Sequence, residues 1–251
     1  MTVHDHYGDY GIDGSFHTIS ARGQAINIGA EAVALAVLAG ISWARGKRLR
    51  AALAGASVAA ITTTTAWYIY ATRWGKFVVW DRVLDDLRLQ GDETVVDLGC
   101  GRGAVLLAAA KRLPRGRAIG VDLWRADQTG NSQQATLANA ALENVGERVE
   151  LHTADMTALP LADDSVDVIV SSLAIHNIAT HAGRRQALDE AVRVLRPGGR
   201  LAIADLWETR RHATHLRQLG WLKVRRRNLG WRMWYGGPWF SARLVTATKP
   251  E

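Results

Sequence analysis

Residues 95 to 106 read Val-Val-Asp97-Leu-Gly99-Cys100-Gly101-Arg-Gly103-Ala-Val-Leu, and their types and spacing suit them to hold a ligand. Two β-branched residues lead to an acid, three alternating glycines follow, and an apolar run succeeds them. The pattern predicts a buried strand ending at Asp97, a tight turn through Gly99, Gly101 and Gly103, and a helix beginning near Arg102. Glycine admits positive φ and lets a ligand lie against bare main chain. The first amides of the helix face that ligand and favour a carboxylate or phosphate. Such a turn is built for a cofactor.

Gly99-x-Gly101-x-x-Ala104 also satisfies a loose dinucleotide fingerprint, and Asp122 ends the next apolar strand as a ribose ligand would. Asp97 argues the other way. An acid before the first glycine repels a pyrophosphate and welcomes an ammonium group. The segment resembles the first motif of the class I S-adenosylmethionine-dependent methyltransferases, and further features follow in order. They are Ile119-Gly-Val-Asp122, Ala154-Asp155-Met156, Ser165-Val-Asp-Val-Ile-Val-Ser-Ser172 and Leu195-Arg-Pro-Gly-Gly199.

The resemblance implies roles. Gly99, Cys100, Gly101 and Gly103 pass under S-adenosylmethionine, and Asp97 places its amino-acid end. Asp122, with Leu123 beside it, takes the ribose, Asp155 and Met156 frame the adenine, and Ser171 ends the fourth strand beside the ligand. The product is S-adenosylhomocysteine, and no metal is expected. Each aspartate has a plainer reading as a strand-end or capping acid.

His176 and Asn177 follow the fourth strand, where acceptor and methyl should meet. Imidazole titrates near neutrality and is a candidate general base, needed only if the acceptor arrives protonated; both residues could equally do no more than bond loop backbone. Tyr7 and Tyr10 lie in an N-terminal stretch that resembles a lid and could face a sulfonium through a cation–π contact. Trp124 either packs on the cofactor or covers the sheet. Trp234 and Tyr235, in the aromatic run Trp231 to Phe240, are expected to form a substrate wall or a membrane-facing rim.

The elements that must position these residues alternate: strand 94–98, helix 102–113, strand 117–122, helix 132–145, strands 148–152 and 166–171, helix 181–195, strand 200–205. This order predicts an α/β fold with a mostly parallel sheet covered on both faces. The family adds strands at 222–230 and 241–248, making a Rossmann-like, seven-stranded sheet. At 251 residues the chain exceeds one such domain, and the surplus lies in front. Its single cysteine, Cys100, excludes an internal disulfide and reads as a small residue under the cofactor.

Residues 26–44 and 51–71 are apolar and long enough to cross a bilayer. Trp43, Trp67, Tyr68 and Tyr70 stand near their ends, as at a membrane interface. The basic turn Arg45-Gly-Lys47-Arg48-Leu-Arg50 joins them into a helical hairpin. Glu31, the threonines 62–65 and the alanine content argue against full spanning. So do the tip charges, which two crossings would put outside if the catalytic domain is cytoplasmic. Two spans, a hairpin in one leaflet, and a soluble hairpin buried against the domain or a twin subunit all stay open.

The organisation expected is therefore a segment 1–24 that reads either as a lid or as a frayed end, a hairpin 25–72 and a methyltransferase domain 73–251. Net charge is +7, with 31 Lys plus Arg against 24 Asp plus Glu. Much of the excess lies at Arg210, Arg211, Arg217, Lys223 and Arg225 to Arg227, among Trp221, Trp231 and Trp234. Such a patch suits lipid headgroups; no zinc-finger or RNA-recognition spacing accompanies it, so nucleic acid is not expected. The expectation is a membrane-associated enzyme that methylates a hydrophobic small molecule or lipid-like acceptor. The rivals are a soluble enzyme that dimerises through the hairpin and a non-catalytic scaffold.

Overall fold

The computed structural model describes residues 6–251. Seven strands form one sheet: β1 (Thr94–Leu98), β2 (Arg117–Asp122), β3 (Val149–Thr153), β4 (Val166–Ser172), β5 (Leu195–Asp205), β6 (Leu222–Asn228) and β7 (Arg243–Thr248). Their order is β3-β2-β1-β4-β5-β7-β6. Pairing is parallel from β3 through β5, while β7 runs antiparallel to both β5 and β6. The order reverses beside β1. Ligands in such sheets sit outside the carboxyl ends of the strands at that reversal.

The helices are α1 (Ala21–Ala44), α2 (Arg48–Tyr70), α3 (Lys76–Leu87), α4 (Ala104–Lys111), α5 (Gln133–Leu142), α6 (His181–Val194) and α7 (Thr209–Gln218). One core joins α3, α4 and α5 to the sheet through Trp80, Leu84, Leu107 and Ala140. The opposite core joins α6 and α7 through Leu188, Val194 and Leu216. The central strands are apolar on both faces because both faces are covered. β6 is an edge, and exposed basic residues at 225–227 discourage pairing with another chain. Trp221, which the sequence groups with that patch, is instead buried.

The hairpin differs in kind from this domain. α1 is capped by the Ser20 hydroxyl, which accepts from Gly23 N–H at 3.2 Å, and Gly46 at φ 74° turns the chain into α2. At 24 and 23 residues the two helices are each about 35 Å long. Among their residues only Ser42 and Ala54 are buried. Val33, Val37, Leu49 and Leu53 stand more than half exposed. Arg48 lies over the Trp43 ring at the tip, 4.9 Å from its centroid.

α2 does not stop at residue 72. It runs through a π-helical turn, Ala71–Gly75, straight into α3. The expected boundary between hairpin and domain therefore falls inside one continuous helix, and α1 begins ahead of residue 25. A helix at Thr209–Gln218 follows β5 where the sequence reading had none.

Candidate cofactor and acceptor site

Gly99, Gly101 and Gly103 adopt φ of 71°, 51° and 89°. A Cβ on Gly99 would stand 2.2 Å from that of Ala174, so glycine is required there by space as well as by conformation. The turn, the ends of β1, β2 and β4, and the loop after β4 enclose a cavity of about 310 Å³. Asp97, Gly99, Cys100, Gly101, Asp122 and Leu123 line it, as do Asp155, Met156 and Asn177.

The electrostatics of this cavity run against the charge of the chain. Five carboxylates line it (Asp13, Asp97, Asp122, Asp127 and Asp155) against two basic side chains, Lys76 and Arg125. Asp97 is 1% exposed, and its Oδ1 has no hydrogen-bond partner. Burial, and then the nearby Asp122 carboxylate, push its pKa up to about 8. Burial and Asp122 raise Asp127 as well. Burial and the same acids hold the Cys100 thiol well above its ordinary range, so it is protonated and no nucleophile.

A ligand bearing positive charge relieves these repulsions, and a pyrophosphate would add to them. S-adenosylmethionine carries both a sulfonium and an ammonium group, and it therefore fits the residues present. The dinucleotide alternative does not.

Asp122 accepts from Gly101 N–H at 2.8 Å and from Trp124 N–H at 2.6 Å, which pins the glycine turn to β2. Asp155 Oδ1 caps its own turn, taking Thr157 N–H at 2.9 Å and the Thr157 hydroxyl at 2.8 Å. Both plainer readings of these acids are thus realised, and both carboxylates still border the cavity.

Several residues lie elsewhere than the sequence reading put them. Ser171 is buried and donates to Leu98 O at 2.8 Å, tying β4 to β1; Ser172 lines the cavity and accepts from Trp80 Nε1 at 2.8 Å. Successive strand residues face opposite ways, so only one of the two can look inward. Trp124 packs against the core with Nε1 donating to Thr153 Oγ1 at 2.7 Å, outside the cavity lining. Tyr7 is exposed, and Tyr10 is buried with its hydroxyl donating to Glu143 at 2.6 Å. Neither ring borders the cavity. His176 also falls just outside the lining, although Ala174, Asn177 and Ile178 belong to it. Its ring instead meets Asp205, Nδ1 lying 2.5 Å from Oδ1.

The N-terminal strap reaches the site through Asp13, which the sequence reading missed. Gly14 N–H and Phe16 N–H donate to Asp127 O and Ala126 O at 2.9 and 2.7 Å, laying the strap along the loop after β2. Asp13 then pairs with Lys76 at 2.9 Å and accepts from Gln128 at 2.9 Å and from Tyr235 at 3.3 Å. Its own N–H donates to Thr72 Oγ1 at 3.0 Å, and its carbonyl accepts from Tyr68. One residue thus joins the foot of the hairpin, the aromatic loop and the cavity. Only its own Asp13-Gly14 pair marks it in the sequence.

Trp234 and Tyr235 seat the hairpin. Trp234 packs 5.2 Å from Trp67, Tyr70 stacks on Trp231 at 5.3 Å, and Trp67 Nε1 donates to Trp231 O at 2.8 Å. Trp74 and Trp231, both against Tyr70, remain substantially exposed around this foot.

Comparison with known proteins agrees with the geometry. Residues 96–203 match the family model described as a methyltransferase domain. An arsenite methyltransferase of Halobacterium salinarum is 39% identical over 118 residues, which cover 47% of this chain and 28% of that protein. A ubiquinone/menaquinone biosynthesis C-methyltransferase of Dinoroseobacter shibae is 34% identical over 128 residues, 51% of this chain and 48% of that one. The chain thus spans half or less of the length of these curated relatives. The crystal structure of an S-adenosylmethionine-dependent methyltransferase from Aquifex aeolicus superposes with a TM-score of 0.52 at 21% identity, covering 67% of this chain and 88% of that one.

Proposed function

We propose, from the match of residues 96–203 to the methyltransferase-domain family model and the charge of the cavity, that this chain is a membrane-associated, S-adenosylmethionine-dependent methyltransferase acting on a hydrophobic small-molecule or lipid-like acceptor. The observation that carries the reading is the acidic cavity under a glycine turn, set at the foot of an apolar hairpin and joined to it through Asp13. Its parts are a strap within residues 1–24, a membrane hairpin over 25–72 and a catalytic domain over 73–251 on the cytoplasmic side. Two long, largely apolar helices that are almost unburied in their own chain call for an apolar surrounding. A bilayer supplies one, and so would a second copy of the hairpin. The aromatic ring around the hairpin foot favours the bilayer, because such residues settle at the interface.

When bound, S-adenosylmethionine supplies a methyl carbon already activated by a positive sulfur. The chain's task is to hold, orient and exclude water, which can account for most of the acceleration. Gly99 and Gly101 would offer bare backbone beneath the ligand. Asp97, with its unpartnered oxygen, would hold the ammonium group, Asp122 and Leu123 would hold the ribose, Asp155 and Met156 would hold the adenine, and Asn177 would stand on the acceptor side. The exposed rings of Trp207, Trp239 and Phe240 support an apolar acceptor.

Calorimetric titration of detergent-purified protein tests the cofactor half of the reading. Binding of S-adenosylmethionine and S-adenosylhomocysteine at micromolar Kd, with none of NAD, is expected; folded protein that binds neither overturns it. Flotation with phospholipid vesicles tests the other half. Detergent-free solubility as a homodimer would replace the membrane by a twin subunit.

A further inference from the structure

The basic residues that the sequence groups late in the chain divide in the fold. Lys223 and Arg225 to Arg227 lie along the edge strand β6, whereas Arg210 and Arg211 stand in the first turn of α7. Both α6 and α7 follow strands of the parallel part of the sheet, so they begin at its carboxyl edge. The cofactor cavity lies at that edge, and Lys76 in its lining marks the foot of the hairpin there. Between α6 and α7 is a second cavity, of about 510 Å³, separate from the first. Arg185, Arg210, Arg211, Glu208 and His212 line it, over Leu188.

Positive charge in this cavity is not balanced. Glu208 is its one carboxylate, and it is engaged by Arg211 at 2.8 Å, His181 at 3.1 Å and Arg184 at 3.7 Å. Three guanidiniums against one carboxylate leave two positive charges. Adding Arg184 and Asp189, which stands 3.8 Å from Arg185 and 2.5 Å from His215, leaves that balance unchanged. Neither helix has an acid in its first turn, and Glu208 at the N-cap of α7 gives the first amides no side-chain bond. A helix N-terminus carries unbonded N–H groups and partial positive charge, so arginines placed there are repelled unless an anion joins them. His212 supplies an independent sign: it is 3% exposed, it belongs to the cavity wall, and its Nε2 has no hydrogen-bond partner. Burial holds its pKa below the ordinary histidine range, so the ring is neutral and keeps one N–H to donate. Among the described residues no three His, Cys, Asp or Glu side chains are grouped to hold a metal, which leaves an anion as the complement.

Resting on the membrane half of the proposed function, we propose that the cavity between α6 and α7 is a lipid headgroup site, in which Arg185, Arg210, the first amides of α7 and His212 take the phosphomonoester of an anionic membrane lipid. A phosphomonoester approaches two negative charges at neutral pH and so matches the two uncompensated positive ones; a phosphodiester headgroup brings one. The site lies at the edge of the domain that carries the hairpin, which is the edge that faces the bilayer when the hairpin is inserted. Trp207, on the link from β5 to α7, is half exposed at the same edge, where an indole settles between headgroup and acyl chain. The hairpin then supplies apolar anchorage to any bilayer, and this cavity supplies selection among headgroups.

Flotation of the full-length protein with three kinds of vesicle tests this: phosphatidylcholine alone, and phosphatidylcholine mixed with phosphatidic acid or with phosphatidylglycerol, the two mixtures matched in surface potential. Wild-type protein should float with all three and should bind the phosphatidic acid vesicles about tenfold more tightly than the phosphatidylglycerol ones. R185Q/R210Q should lose that preference and still float with phosphatidylcholine. Equal affinity for the two anionic vesicles, or a preference that survives in R185Q/R210Q, overturns the proposal. In detergent, dihexanoyl phosphatidic acid should shift the His212 ring resonances, which are assigned by the signals lost in H212N. No shift overturns the site. A shift produced equally well by inorganic phosphate overturns the lipid as its source and gives the cavity to a soluble phosphate ester. If R185Q/R210Q does not fold, the wild-type preference and the His212 shift decide alone. Wild-type protein that floats with none of the vesicles loses the membrane reading itself, whereas protein that floats equally with all three loses only the headgroup site.

Discussion

Asp97 sets the acid–base behaviour of the cavity. In the unfolded chain its carboxyl ionises near 3.8, and in the fold burial and Asp122 hold it protonated up to about pH 8. Between those values the native state binds more protons, so this group's contribution to stability is lost as pH rises from about 4 to 8. A cationic ligand needs the ionised form. Affinity for S-adenosylmethionine should therefore rise with pH toward about 8, with uptake of ligand releasing up to one proton per site. Calorimetry at pH 7 in two buffers of different ionisation enthalpy measures that release, and equal apparent enthalpies would contradict it. Asp97→Asn should weaken binding by about 1.5–3 kcal/mol, the range for a hydrogen bond to a charged group. The same variant should melt higher than wild type at pH 8.5 without ligand, because a repelled buried charge is gone.

Among elements, the strap and the hairpin foot are held by knots that can be cut separately. Glu143 accepts Tyr7 N–H at 2.8 Å, Gly8 N–H at 3.1 Å and the Tyr10 hydroxyl at 2.6 Å, and it pairs with Lys111 at 2.6 Å. Glu143→Ala leaves those donors buried without an acceptor and should cost about 2–4 kcal/mol. Hydrogen exchange in residues 6–16 should accelerate while exchange in β1 and β4 stays slow; uniform acceleration would mean that the strap is not a separate unit. At the other knot, a Cβ on Gly75 would stand 2.0 Å from the Arg232 carbonyl. Gly75→Ala should push the loop 229–242 off the helix and unstack Trp231 from Tyr70. Red-shifted tryptophan emission reports this, and an unchanged spectrum with unchanged Tm would count against the docking described.

For the whole molecule, the domain has a closed core on both faces of its sheet and the hairpin has almost none. Introducing charge on the exposed face of the hairpin, as in Val37→Glu with Leu53→Glu, should abolish the flotation with vesicles that the membrane proposal expects and leave S-adenosylmethionine affinity within about twofold. Retained flotation would shift attention to the basic edge at Arg225 to Arg227. Loss of cofactor binding in that variant would show that seating the hairpin also seats Asp13. The continuous helix from Arg48 to Leu87 gives that coupling a rigid path.

Local signals sufficed wherever a local rule sets the structure. Short β-branched runs become central strands because a covered parallel sheet is apolar on both faces, so β1 and β2 begin and end at the expected residues. The glycine turn was equally legible, since positive φ at three alternating positions has a distinctive composition. A charged, weakly apolar stretch hid α7, whose few buried residues include His212 and Leu216. Side-chain partners far apart in the chain left no trace: Tyr10 meets Glu143 across 133 positions, and Asp13 meets Tyr235 across 222. The chain alone determined the sheet, the cofactor turn and the apolar hairpin, each of which follows from periodicity or backbone conformation within a few residues. Only the tertiary structure decided that Ser172 rather than Ser171 faces the cavity, that Asp13 closes it and that Asp205 holds His176, because strand facing and buried polar pairing are settled when distant elements pack.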